Sequence, residues 1–228
     1  MMTTQLPVRA DALSRTTRVH DAVRADILAG RLVPGSRLGF ASLVNTYDCS
    51  IGVVREALQR LLEQGLVTSV PKLGFRVVEV SEEDLLDLTV ARCEIEVLAL
   101  RYAIAGGDLD WEGRVVAAHH RLDRTPMYDA EDPARFSEDW VLAHSEYHQA
   151  LLDGCRNTRI LASATMLRDS AELYRRWSAP LHDRGRDIVG EHRAILDATV
   201  GRDSERACEL LGSHIRRTTD ALITSRAT

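Results

Sequence analysis

Asp48-Cys49-Ser50-Ile51-Gly52-Val53-Val54-Arg55-Glu56-Ala57-Leu58-Gln59-Arg60-Leu61-Leu62-Glu63-Gln64-Gly65-Leu66-Val67 is the stretch on which the fold turns. Val54, Leu58, Leu61 and Leu62 recur at helical spacing, Ser50 stands where an N-cap belongs, and Gly65 ends the stripe. Beyond Gly65 the period changes. Leu66–Val70 and Phe75–Val80 alternate as strands do, and Pro71-Lys72-Leu73-Gly74 between them reads as a tight hairpin. Working backward, Phe40–Tyr47 is a short helix and Arg31–Leu38 is a turn built on Pro34-Gly35. Arg18–Ala29 carries Val19, Ala22, Val23, Ile27 and Leu28 at helical spacing and is stopped by Gly30. Helix, helix, turn, helix, hairpin within about 65 residues is the order of a winged helix-turn-helix. A small α+β domain with no nucleic-acid role has the same order, and pattern alone leaves both readings open.

From Ser81 onward the period is helical. Ser81 with Asp84 resembles a capping box opening a helix to about Ile104, closed by Gly106-Gly107. Further helices are predicted near Trp111–Arg124, Pro133–Asp153, Arg159–Ser178, Arg186–Val200 and Ser204–Thr224. The expected architecture is mainly α. A polar tail over residues 1–17 leads into a winged helix-turn-helix over 18–80, then an all-α antiparallel bundle over 81–228.

Composition agrees with two compact domains in 228 residues: 45% apolar and 28% charged residues exclude disordered and collagen-like classes. No stretch approaches the roughly 18 apolar residues of a membrane span, and none resembles a signal peptide's apolar segment. Cys49, Cys93, Cys155 and Cys208 are too scattered for a disulfide framework or a thiolate zinc site, which predicts a cytoplasmic protein. The net charge of −5 is unevenly distributed. Residues 1–80 hold ten Lys/Arg against seven Asp/Glu, and residues 81–228 nineteen against twenty-seven, so the two parts suit different partners.

His144 and His148 are four apart in a predicted helix, on one face and close enough to share a metal ion. His192 and His214 fall in two other predicted helices. An H-x-x-x-H pair has two readings by itself, a metal site or two ordinary surface or core histidines.

Ile27-Leu28-Ala29-Gly30-Arg31-Leu32-Val33-Pro34-Gly35-Ser36-Arg37-Leu38 is similar to the opening signature of GntR-family bacterial transcription regulators. Val54–Leu61 and Glu63-Gln64-Gly65-Leu66-Val67 resemble that family's recognition helix and wing entry. Arg92-Cys93-Glu94-Ile95-Glu96 resembles the R-x-x-L-E pattern of the FCD domain of the FadR subfamily, and the likeness covers roughly residues 18–225. It implies a homodimer on a palindromic operator, modulated by a small effector in the helical domain. Arg55 would fork onto a guanine edge or phosphate, and Ser50 would hold the helix N-terminus against a phosphate. Arg37 and Lys72 would contact phosphates, and Gly74 would let the wing backbone approach the minor groove. Where the family reads Ser-Arg-Thr-Pro-Val-Arg, this chain has Ser50-Ile51-Gly52-Val53-Val54-Arg55, so Ile51 replaces a basic base reader and suits a thymine methyl. The alternative for Arg55 is a surface salt bridge to Glu56 or Glu63.

Metal-binding FCD domains carry D-x-x-x-H and two later histidines. The resemblance therefore implies a site at His144, His148, His192 and His214, with His144 in place of the usual Asp or Asn. Zn²⁺ suits imidazole, and Ni²⁺ and Mn²⁺ are not distinguished from it by ligand type. Four neutral imidazoles leave the ion's charge uncompensated, favouring an anion such as an effector carboxylate. Arg92 is the candidate to bind that carboxylate; its alternative is a structural pair with Glu94 or Glu96. His20, His119, His120 and His182 match no motif and are expected to be solvated. The leading expectation is a metabolite-sensing regulator, not an enzyme. The rivals are a metal-responsive repressor, a histidine-zinc hydrolase using Glu146 or Glu191 as base, and a metal-free structural pocket.

Overall fold

The computed structural model describes residues 10–72, 74–79, 81–133, 136–177 and 186–226. The chain divides into two compact units, Met1–Val80 and Ser81–Thr228. The first contains α1 (Ala10–Leu28), β1 (Arg37–Leu38), α2 (Phe40–Thr46), α3 (Ile51–Glu63), β2 (Val67–Val70) and β3 (Gly74–Val77). Ser50 caps α3, its hydroxyl accepting from the Val53 amide at 3.4 Å. The apolar stripe of α3 (Val54, Ala57, Leu58, Leu61) is buried, and α3 packs on α1, whose Val19, Val23 and Ile27 are buried in turn. The sheet is antiparallel in the order β1-β3-β2. Gly35 closes the turn before β1, its amide donating to Val77 O at 3.0 Å. Its φ of +72° lies in the left-handed region, and a Cβ there would meet the Glu79 side chain at 3.3 Å.

Three expectations are corrected here. Helix α1 starts at Ala10, so residues 10–17 are not tail, while residues 1–9 lie outside the described residues. Thr16 is buried and donates to Glu56 Oε2 at 3.4 Å, which docks this extra helical length on α3. His20, expected in solvent, is buried one turn further on, 3.1 Å from Gln64 Oε1. Strand β1 was not anticipated; at two residues it is too short to show alternation.

The second unit is helical: α4 (Glu82–Gly106), α5 (Leu109–Arg124), α6 (Glu138–Leu152), α7 (Thr158–Trp177), α8 (Ile188–Val200) and α9 (Ser204–Arg226). Ser81 caps α4 by accepting from the Asp84 amide at 3.0 Å. Helix α4 packs on α7 and α9, α5 on α6 and α8, and α8 on α9. The core is built on Leu100, Trp111, Tyr147, Leu151, Ile195 and Leu211. Trp111 Nε1 donates to Ala150 O at 2.9 Å, which satisfies the buried indole. Helix α6 begins at Glu138, not Pro133. Ser137 supplies its cap, accepting from Trp140 N at 3.1 Å, and the preceding segment is held by a Tyr128–Phe136 bridge. Among the described residues no helix is long and apolar enough to cross a membrane.

Candidate functional site

Helix α3 carries Arg55 and Arg60, β1 carries Arg37, and the β2–β3 hairpin carries Lys72 and Arg76. Burying Val54, Ala57, Leu58 and Leu61 turns Ile51, Arg55, Glu56 and Gln59 outward, and Ile51 is 55% exposed. The Arg55 guanidinium carbon sits 5.6 Å from the Phe40 ring centroid, a cation–π contact, while Glu56 is engaged by Arg60 at 2.6 Å. The ion pair considered for Arg55 is thus replaced by an aromatic one that keeps the head group at the surface. Lys72 is exposed with φ of 64°, and Gly74 has φ of 85° with nothing within 4 Å of a Cβ position. Arg37 is the direct antiparallel partner of Arg76. Arg76, which sequence reasoning did not single out, donates from Nη1 to Gly35 O at 2.7 Å.

In the second unit α6 brings His144 and His148, α8 brings His192 and α9 brings His214 to one place. One ligand atom from each lies within 4.8 Å of the others, and all four residues are buried. His148 Nε2 and His192 Nε2 are 3.3 Å apart. That separation is about the edge of a tetrahedron of nitrogens around zinc, given Zn–N of about 2.0–2.1 Å. Burial pushes the proton affinity of all four imidazoles down, aided at each by a neighbouring guanidinium and at His144, His148 and His192 by other histidines; Glu191 opposes the shift at His192 and His214 without reversing it, so the neutral ring is favoured at all four.

Surrounding groups orient the rings. His214 Nδ1 donates to Glu191 Oε2 at 2.8 Å, leaving Nε2 with the bare lone pair. Burial would raise the Glu191 carboxyl, but bonds from Arg186 (2.6 Å) and His214 hold it well below the usual carboxylate range. Tyr147 donates to His192 O at 3.0 Å, and Trp140 stacks on His144 with centroids 4.9 Å apart. Arg175, paired with Glu172, contacts His144 Nδ1. A guanidinium can only donate, so this contact uses a lone pair of His144.

Arg92, half-buried, donates from Nε to Oε1 of the buried Glu96 at 2.6 Å. Arg168, also missed from sequence, donates to Gln149 Oε1 and to Ser145 O, each at 2.8 Å. Arg168, Arg175 and Arg186 are brought in from afar, and no local motif marks them. His119 is buried with its ring edge-on to Tyr147 at 5.2 Å, not solvated as expected; burial lowers its proton affinity too. His120 is exposed, and His182 lies outside the described residues.

The sequence matches the gntR family of bacterial regulatory proteins over residues 15–77 and the FCD domain over residues 87–217. It is 39% identical over 207 residues to the HTH-type transcriptional regulator BphR of Paraburkholderia xenovorans LB400, covering 90% of this chain and 84% of that one. It is 32% identical over 197 residues to the HTH-type transcriptional repressor GlaR of Escherichia coli K12, covering 85% and 89%. Among solved structures, a GntR transcriptional regulator from Rhodococcus sp. RHA1 aligns with a TM-score of 0.72 at 27% identity, over 92% of this chain and 98% of that one. These relatives are regulators, which sets the hydrolase reading aside. The chain belongs to the GntR family of bacterial transcription regulators, in the FadR subfamily, with an N-terminal winged helix-turn-helix and a C-terminal FCD effector-binding domain.

Proposed function

We propose that the protein is a cytoplasmic homodimer that binds a palindromic operator through residues 18–80. In this reading residues 81–228 bind a divalent metal ion and a small organic acid that modulates operator binding. The observation that carries it is the convergence of four buried, neutral imidazoles from three helices on a volume the size of one ion. His144, His148, His192 and His214 would hold the ion. Zn²⁺ fits the donor set best, with Ni²⁺ and Mn²⁺ as alternatives. When bound, the ion supplies a positive charge that no ligand cancels, and so an anchor for an anion. Glu191 fixes the His214 tautomer, and Arg92, anchored through Glu96, is the candidate to bind the effector carboxylate.

On the DNA side Arg55 is assigned to a major-groove base edge and Ser50 to a phosphate at the α3 N-terminus. Arg37 and Lys72 are assigned to phosphates, and Gly74 to close approach of the wing. One observation favours a second reading, that the ion itself is a signal: Arg175 and an ion would compete for His144. Elemental analysis of purified protein, with operator binding titrated by Zn²⁺ and by organic acids in turn, tests both. Metal-free protein whose operator affinity ignores Zn²⁺ overturns the metal site; a response to Zn²⁺ alone selects the second reading.

A further inference from the structure

Helix α3 begins with a large apolar side chain turned to solvent. Ile51 is 55% exposed, while Val54, Ala57, Leu58 and Leu61 bury the other face of the helix. Neither core packing nor helix stability calls for an isoleucine there. A β-branched residue is a slightly poor helix former, and an acid is what stabilises a first turn. The first turn of α3 holds no acid, whereas those of α4, α5, α6, α8 and α9 each carry at least one. The neighbours leave Ile51 room. Gly52 has no side chain, and a Cβ there would meet only Ser50 Oγ, at 3.9 Å. Glu56, one turn beyond Gly52, is engaged on both oxygens, by Arg60 at 2.6 Å and by Thr16 at 3.4 Å. Arg55, one turn beyond Ile51, is held over the Phe40 ring.

An isoleucine can recognise little in a DNA groove. It offers neither donor nor acceptor, so among the features of the major groove only the methyl group on C5 of a pyrimidine rewards contact with it. A recognition helix presents its N-terminal residues to the base edges. Ile51 and Arg55 are separated by about 6 Å of helix, and base pairs stack about 3.4 Å apart. The two side chains therefore reach base pairs no more than about two steps apart.

We infer that Ile51 is a specificity residue that reads a C5-methyl pyrimidine within about two base pairs of the pair read by Arg55. Thymine supplies that methyl in ordinary DNA, and 5-methylcytosine supplies the same group in modified DNA. The inference rests on the assignment of α3 to the major groove and narrows it. To test it, full-length protein selects its operator from random duplexes, and the pair read by Arg55 is located as the one whose preference Arg55→Ala relaxes. At each T·A pair within two steps of it, thymine is replaced by uracil, and T·A by C·G with cytosine or 5-methylcytosine, and affinities are read by fluorescence anisotropy. At one of these pairs uracil is expected to weaken binding about fourfold, the worth of one buried methyl group. There 5-methylcytosine should bind about fourfold tighter than cytosine. Ile51→Ala should bind the thymine and uracil duplexes alike, and Ile51→Val should keep part of the ratio. Ile51 is exposed and alanine is the better helix former, so a merely structural role would shift all duplexes together and leave the ratio unchanged. No T·A pair in that window, equal binding of thymine and uracil, or an unchanged ratio in Ile51→Ala overturns the role of Ile51 and leaves the operator reading standing. Thymine tighter than uracil with 5-methylcytosine no tighter than cytosine overturns the extension to modified DNA. A selection that returns no operator, or one indifferent to Arg55→Ala, overturns the assignment of α3 and this inference with it.

Discussion

The hydroxyl of Tyr174 on α7 donates to Asp84 Oδ2 in the first turn of α4, and the next residue, Arg175, touches the ring of His144. Two adjacent side chains thus join the imidazole cluster to the start of the helix that follows Val80 in the chain. An ion that claims the His144 lone pair must dislodge Arg175, and the backbone that carries Arg175 also carries Tyr174. Tyr174→Phe is therefore expected to keep its zinc, by elemental analysis, and to show a smaller zinc-induced change in operator affinity, by fluorescence anisotropy. An undiminished zinc response in this variant rules the connection out.

Metal binding and stability of the helical unit are expected to be coupled, because the ligands come from α6, α8 and α9. His148→Ala and His192→Ala should each abolish the zinc-dependent rise in melting temperature. His119→Ala should lower the melting temperature equally with and without zinc, since that ring packs on Tyr147. His182→Ala should leave the zinc-dependent rise intact. His144→Asp should retain the ion and weaken anion binding, its carboxylate offsetting the ion's charge. A melting curve that ignores chelator in protein known to contain metal would contradict the coupling.

Stability of the metal-free protein should fall with acid. His144, His148 and His192 are held well below 6.5 and His119 and His214 below it, chiefly by burial. Unfolded histidines titrate at about 6.5, so below that pH the unfolded chain binds more protons and stability rises with pH. The contribution is complete above about pH 6.5 and is lost as the pH falls through the folded values. Its slope is at most about 1.4 kcal/mol per pH unit for each histidine. Because the folded imidazoles resist protonation, zinc retention should extend to lower pH than for free imidazoles. Urea midpoints of chelator-treated protein between about pH 7.5 and 5 check this; a flat profile would be incompatible with neutral buried rings.

Arg55→Ala is expected to weaken operator binding by about 1–3 kcal/mol and to relax preference at one base pair. Lys72→Ala should weaken binding alike on all sequences and lower the salt slope by about 1. Binding isotherms on operator and scrambled duplexes at several salt concentrations separate the two, and wild-type behaviour of Arg55→Ala would remove α3 from the base-reading role.

The period change at Gly65 made the α3-to-hairpin order readable, because burial of one face imposes 3.6 on the helix and 2 on the strands. The four imidazoles were marked by their own residue type and by a familiar spacing. What surrounds them was not, because Arg168, Arg175 and Arg186 reach Gln149, His144 and His214 from distant parts of the chain, and local sequence carries no such information. His119 was open to detection: with Trp111, Val115, Ala118 and Leu122 it completes the buried stripe of α5. The start of α6 was misplaced because Pro133 suits a first helical turn, yet Ser137 followed by Glu138 and Asp139 is the stronger signal.

Arg37 and Arg76 stand opposite one another across β1 and β3, and like charges in that position disfavour strand pairing. The edge of the sheet is therefore assembled against that repulsion, offset in part by the Arg76 bond to Gly35 O, and an anion laid across the pair would serve as its counterion. Strand pairing and phosphate contact would then reinforce one another, so that a backbone phosphate tightens the element that grips it. At matched ionic strength, amide exchange from β1 should be slower in sulfate than in chloride. Arg37→Thr, which spares the Arg76 bond to Gly35 O, should gain order in the free protein while losing affinity for DNA, a trade of function against rigidity set by a single like-charged pair.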